Sequence, residues 1–249
     1  MNPAAEMPPT HSESSCFRQN SAQERFARLT TLYSDIRHNG MDALLSGGTE
    51  DDWLNHPEAD TRMAVALVIR PPEAVRGRIR HTLDELAKDF PELYCYPADD
   101  LHITVLDILR GRPGLEKPSP TLLSQYKTCM ESAVLPLEPF NIRCRGLTFS
   151  GGALMVQGFD DGGLEALRAS LRPALRAAGL PLEERYETTS CHITAVRFPE
   201  KLRKPAGLLA QLEQYTDTDF GGFEVADAEL TYHNWYDSKK EKLFALSWK

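Results

Sequence analysis

Leu101-His102-Ile103-Thr104-Val105 and Cys191-His192-Ile193-Thr194-Ala195 are the two stretches that decide the reading of this chain. Both follow the order His-apolar-Thr-apolar, and each has a tyrosine six residues before its histidine, Tyr96 and Tyr186. A given histidine meets that order by chance about 1% of the time, so two matches among the 7 histidines point to a built feature. Successive side chains of a strand point to opposite faces. His102 and Thr104 therefore share one face while Ile103 and Val105 take the other, and the second motif divides in the same way. A polar pair at alternate positions of an otherwise buried strand is costly without partners. Two such strands side by side would bring two imidazoles and two hydroxyls onto one groove.

Outward from the motifs, elements alternate. Ala64–Ile69 is a continuous apolar run ended by Pro71-Pro72, which predicts a buried strand. Val75, Ile79, Leu83, Leu86 and Phe90 trace one helical face. A Gly/Pro-rich loop after the first motif leads to a helix near 120–134. Ile142–Phe149 and Ala153–Phe159 flank Ser150-Gly151-Gly152, a hairpin signal. Leu164, Leu167, Leu171 and Leu175 mark a helix over 163–178, stopped by Gly179. A strand at 191–198, a helix at 205–215 and a hairpin of 223–236 with 242–248 complete the pattern. Helices alternating with hairpins predict an α+β fold with mixed or antiparallel sheets.

The N-terminal part reads differently. Residues 1–20 are polar and rich in Pro and Ser, which predicts a disordered tail. Residues 21–61 read as a helical extension, with a helix from Ser21 to about His38 stopped by Asn39-Gly40. Residues 62–249 form the main domain.

Composition narrows the function. With 41% hydrophobic and 26% charged residues the chain is an ordinary globular protein. No stretch approaches the roughly 18 apolar residues of a membrane helix, and the start lacks a secretory signal's basic and apolar regions. A cytoplasmic monomer is expected. Five cysteines without a CxxC pair argue for reduced thiols rather than a disulfide framework or zinc knuckle. Of the net charge of −8, residues 1–60 carry −6 and the remainder −2. That near-neutral body disfavours long nucleic acids, which need clustered cations, and leaves a small nucleotide or an RNA end.

The paired motifs, 90 residues apart, resemble the H-x-T-x signatures of the two-histidine (2H) phosphoesterase superfamily. It includes bacterial RNA 2′,3′-cyclic phosphodiesterases, long called 2′-5′ RNA ligases, and plant and fungal cyclic nucleotide phosphodiesterases. The resemblance covers residues 62–249. It implies a bilobal fold, with two pseudo-twofold-related lobes around a central cleft and helices on the outer faces. It also implies a catalytic set of His102, Thr104, His192 and Thr194. Arg197 matches a position often arginine in bacterial members, and with Tyr96 and Tyr186 it is a candidate for substrate binding.

The chemistry suits the residues. Opening a cyclic phosphodiester with water needs a base and an acid, and histidine serves as either near neutrality. Threonine hydroxyls can stabilise the charge gathering on the non-bridging oxygens. Two histidines without an acidic cluster are poor metal ligands, so neither metal nor cofactor is expected. His192 is taken as base and His102 as acid, the reverse assignment fitting the sequence as well, with a 2′-phosphate product implied by the resemblance. The same residues would also suit a reversible 2′-5′ RNA ligase, a hydrolase of another cyclic phosphate, or a nucleotide-binding protein without useful turnover. His233 reads as structural or exposed.

Overall fold

The computed structural model describes the backbone of residues 11–248 and the side chains of residues 22–248. Of the expected disordered tail, residues 1–10 lie outside the described residues, and from residue 11 the backbone is helical. This first helix, α1 (His11–Leu45), starts earlier and ends later than expected. No proline or glycine interrupts residues 10–39, so nothing breaks the helix before Gly40. Gly40 does not stop it. A Cβ at Gly40 would lie 2.8 Å from the backbone carbon of Ser150, so the glycine allows α1 to press against a turn. Gly47, at φ 101, ends the run in the left-handed region.

The main body follows as β1 (Arg62–Ile69), α2 (Glu73–Asp89), β2 (Tyr94–Cys95), β3 (Ile103–Pro113), α3 (Pro120–Val134), β4 (Phe140–Ser150) and β5 (Ala153–Asp160). Then come α4 (Gly163–Ala177), β6 (Ile193–Arg197), α5 (Pro205–Leu212), β7 (Asp219–Val225), β8 (Asp227–Asn234) and β9 (Lys240–Ser247). Local signals account for several ends. Ser119 caps α3 by accepting from the Leu122 amide, with Pro120 in its first turn. Helix α4 buries Leu164, Leu167, Leu171 and Leu175, the face foreseen from their spacing.

The sheet runs β7-β4-β5-β6-β3-β1-β8-β9, and every pairing is antiparallel. It divides into two four-strand halves, β7-β4-β5-β6 and β3-β1-β8-β9, whose innermost strands carry the two motifs. This is the bilobal α+β arrangement expected, with the antiparallel alternative realised throughout. One detail differs. The stretch expected as a single strand over 223–236 is split at Ala226: β7 pairs with β4 in one half, and β8 pairs with β1 in the other. No turn residue marks the split; its only trace in the sequence is the adjacent apolar pair Val225-Ala226, where the alternation changes phase.

Helix α1 is part of the core rather than an appendage. Arg25 makes a buried ion pair with Asp160. The Tyr33 hydroxyl donates to Gly158 O at 2.8 Å and accepts from the Cys191 amide at 3.1 Å, next to the second motif. After α1 the chain crosses to the other half, where Tyr236 donates to Asp51 at 2.8 Å. Tyr33→Phe strands the buried Cys191 amide, so it should cost about 1–3 kcal/mol. Urea unfolding should then show a lower midpoint at an unchanged slope.

Candidate active site

Strands β3 and β6 meet at one ladder position, Ile103 opposite Ile193. Extending that antiparallel register one residue each way sets His102 across from Thr194 and Thr104 across from His192. Directly opposed side chains stand ~5 Å apart at their β-carbons. Burial follows the same alternation: Leu101, Ile103, Val105, Cys191, Ile193 and Ala195 are buried, while the histidines and threonines between them are partly exposed. The two His-Thr pairs thus share one face of the junction between the lobes, each histidine opposed by the other motif's threonine.

A β-bulge follows each threonine. In β3 the register passes from Val68–Thr104 to Leu67–Leu106, which skips Val105. In β6 it passes from Met155–Thr194 to Leu154–Val196, which skips Ala195. Bulges bend a strand and re-aim its side chains, and are frequent beside active sites. The freed carbonyls are both satisfied. Ala195 O accepts from the Tyr96 amide at 2.9 Å. Val105 O accepts from Arg168 Nε at 2.9 Å, and Thr104 O accepts from Arg168 Nη2 at 2.7 Å. A guanidinium from α4 therefore stands in for a ladder partner where β3 and β6 part.

Each imidazole is held through Nδ1 by the residue two positions earlier. His102 Nδ1–H donates to Asp100 O at 2.8 Å, because a carbonyl can only accept. His192 Nδ1 lies 2.7 Å from Ser190 Oγ. In both rings this leaves Nε2 for chemistry. Burial pushes the pKa of each down to about 4. Their other surroundings differ. Asp237, with Oδ2 3.8 Å from His102 Nδ1, favours the protonated ring. Around His192 the next influences are Arg168, His102 and Arg197, all of which disfavour its protonation.

Asp237 was not foreseen. It is fully buried, adopts φ 59, and anchors the β8–β9 loop beside His102. Arg70 Nη1 reaches its Oδ2 at 2.6 Å and Lys240 Nζ lies 3.1 Å from the same oxygen. His233, expected to be structural or exposed, is buried with its ring centroid 6.1 Å from that of His102. Its Nδ1 lies 3.6 Å from Asp237 Oδ1. Among the described residues no group of three His, Cys, Asp or Glu side chains is disposed to hold a metal ion.

The weaker candidates separate. Arg197 is half-buried, bonds the Tyr96 side chain, and keeps its Nε without a partner. Tyr96 is only 3% exposed and belongs to the core. Packing, rather than an open ring face, is what its surroundings show for this candidate. Tyr186 is 69% exposed in the connection between α4 and β6. Cys191 is fully buried, and desolvation holds its thiol protonated.

The lowered imidazole pKa values have a consequence for stability. Unfolded, these rings titrate near 6.5; folded, they resist protonation until about pH 4. The unfolded state therefore binds more protons below pH 6.5, and stability falls as the pH drops through that window. Unfolding free energies measured between pH 6.5 and 5, above the range where most carboxylates titrate, should decline. The decline should shrink in the His102→Asn/His192→Asn double variant. A flat profile in the wild type would contradict the burial of these rings.

No family model and no curated relative matches the sequence. Solved structures do match in fold. Escherichia coli LigT in its apo form aligns with a TM-score of 0.53 at 16% identity, covering 76% of this chain and 99% of LigT. LigT complexed with 3′-AMP gives 0.52 at 17%, covering 76% of this chain and 99% of that one. A structure described as a phosphoesterase gives 0.52 at 16%, covering 75% and 99%. Nearly the whole of each matched chain is spanned, and the remaining quarter of this chain lies outside the match. The chain has the fold of LigT, with two His-x-Thr pairs facing each other where its lobes join.

Proposed function

We propose that this protein is a two-histidine phosphoesterase that opens the 2′,3′-cyclic phosphodiester of a nucleotide or RNA end, without a metal, to leave a 2′-phosphate. The observation that carries the reading is the register of β3 on β6, which opposes His102 to Thr194 and Thr104 to His192. The shared fold with LigT and a phosphoesterase supports it. So does the nucleotide in the 3′-AMP complex of LigT.

In the free protein both rings are neutral. A bound phosphodiester anion raises both pKa values, and Asp237 selects His102 as the ring that takes the proton. His192, under the positive charge of Arg168 and Arg197 with no carboxylate beside it among the described residues, stays neutral and serves as base. Its Nε2 takes a proton from water as the oxygen attacks phosphorus. The bond from phosphorus to O3′ breaks, and His102 Nε2–H delivers its proton to O3′. Thr104 and Thr194 donate to the non-bridging oxygens as their charge grows. Arg197, with an unpartnered Nε, and the exposed Tyr186 are the remaining candidates for binding the nucleotide.

Turnover of 2′,3′-cyclic nucleotides and of a short RNA ending in a cyclic phosphate, measured with EDTA present, tests this directly. His102→Ala and His192→Ala should each lower kcat/KM by about 10²–10⁴-fold. Thr104→Val and Thr194→Val should lower it by about 10²-fold. Folded variants that retain wild-type turnover, or a folded wild type inert toward every such substrate, would sink the proposal.

A further inference from the structure

Arg168 is the largest fully buried side chain among the described residues, 2% exposed at the heart of α4. It occupies the apolar stripe of that helix, four residues after Leu164 and three before Leu171. Two of its three nitrogens hold Thr104 O and Val105 O. The third, Nη1, on the other edge of the fork, is buried without a hydrogen-bond partner. Among the described residues no carboxylate lies within ion-pair distance of this guanidinium, although Arg25 and Arg172 beside it are both paired. A buried charge without a counterion is expensive, and an unpartnered charged donor adds to the cost. Desolvation accordingly pushes the Arg168 pKa down to about 10.

Arg168 also lines a cavity. A recess of about 350 Å³ between α1, α4 and the connection before β6 is lined by Arg25, Arg168, Arg172 and Arg176, with Glu165 and Glu187 at 51% and 70% side-chain exposure. Arg176 is exposed and makes no ion pair among the described residues. The recess lies on the helix side of the sheet, opposite the histidines. Its volume is at the small end for ligand pockets, which suits a small anion.

We propose that this recess is a second ligand site, for free phosphate or the phosphoryl group of a small phosphate ester, with Arg168 linking the bound anion to Thr104. The anion supplies the counterion that Arg168 lacks, and Arg176 contributes a second cation from the rim. Because Arg168 also holds the backbone at Thr104 and Val105, an occupied recess stiffens the bulge behind the first motif. Helix α1 supplies Arg25 to the wall, so the N-terminal extension is part of the site.

The test uses thermal unfolding of the full chain with added inorganic phosphate, glycerol phosphate, or chloride at matched ionic strength. Its key variant is Ala169→Glu, at an exposed position lining the recess. That change places a carboxylate where the anion would sit and leaves the catalytic cleft untouched. Phosphate at ten times its dissociation constant should raise the wild-type melting temperature by about 3 °C beyond chloride. Ala169→Glu should melt higher than wild type without phosphate and lose most of the phosphate response. A response to inorganic phosphate alone identifies free phosphate as the ligand, and an equal response to glycerol phosphate identifies the phosphoryl group of an ester. If Ala169→Glu keeps the full response, the anion binds elsewhere, the histidine cleft included, and the proposal fails. It also fails if phosphate and chloride act alike on the wild type. Neither result depends on whether the protein turns over cyclic phosphates.

Discussion

The single ladder position where Ile103 meets Ile193 is the constraint on which the site depends. Because side chains alternate with a period of two, a slip of one residue by either strand there would turn that strand's histidine into the core and its isoleucine out. Burial prevents this. Leu101, Ile103 and Val105 in one motif and Cys191, Ile193 and Ala195 in the other all lie inside, so a one-residue slip of either strand forfeits its three buried side chains at once. The two bulges then part the strands directly beyond the threonines, which keeps the polar face from closing into continuous sheet. Contact at one position and divergence on both sides make a cleft from two strands of the same sheet.

Charge is distributed unequally across this nearly symmetric frame. The first motif has Asp237 at its imidazole, tied in turn to Arg70 and Lys240. The second has Arg168 and Arg197 as its charged neighbours apart from the other histidine. Two rings with the same hydrogen-bonding plan, each held through Nδ1 by the residue two before it, thereby sit among different charges although burial holds both near the same pKa of about 4. The difference in surroundings comes from residues outside the motifs.

Much of this was legible in the sequence, because it rests on local periodicity. The helices of the main body follow apolar spacing, and the motif strands follow alternation. What escaped depends on distant contacts. Gly40 reads as a helix stop by composition but serves close packing against Ser150. Ala226 carries no turn signal, although the chain changes halves there. Asp237 and Lys240 read as ordinary polar turn residues, and only the path of the β8–β9 loop brings them beneath His102. Tyr96 shares its spacing with Tyr186, yet one is core and the other surface, since spacing fixes position along a strand and not what covers it. Arg168 did leave a trace, being a charge on the apolar stripe of α4, and that oddity marks a buried cation that lacks a counterion among the described residues.

The crossover at Ala226 also bears on how the molecule comes into being. The half built from β4, β5, β6 and β7 is inserted between β3 and β8 of the other, so the two are nested rather than sequential. As the chain leaves the ribosome, the inner half has all its strands while β1 and β3 still lack β8 and β9. Domains tend to close as their segments emerge. The first motif, though synthesised long before the second, is therefore completed after it, when Asp237 and Lys240 arrive. The carboxylate that sets the surroundings of His102 apart from those of His192 is thus among the last groups to arrive.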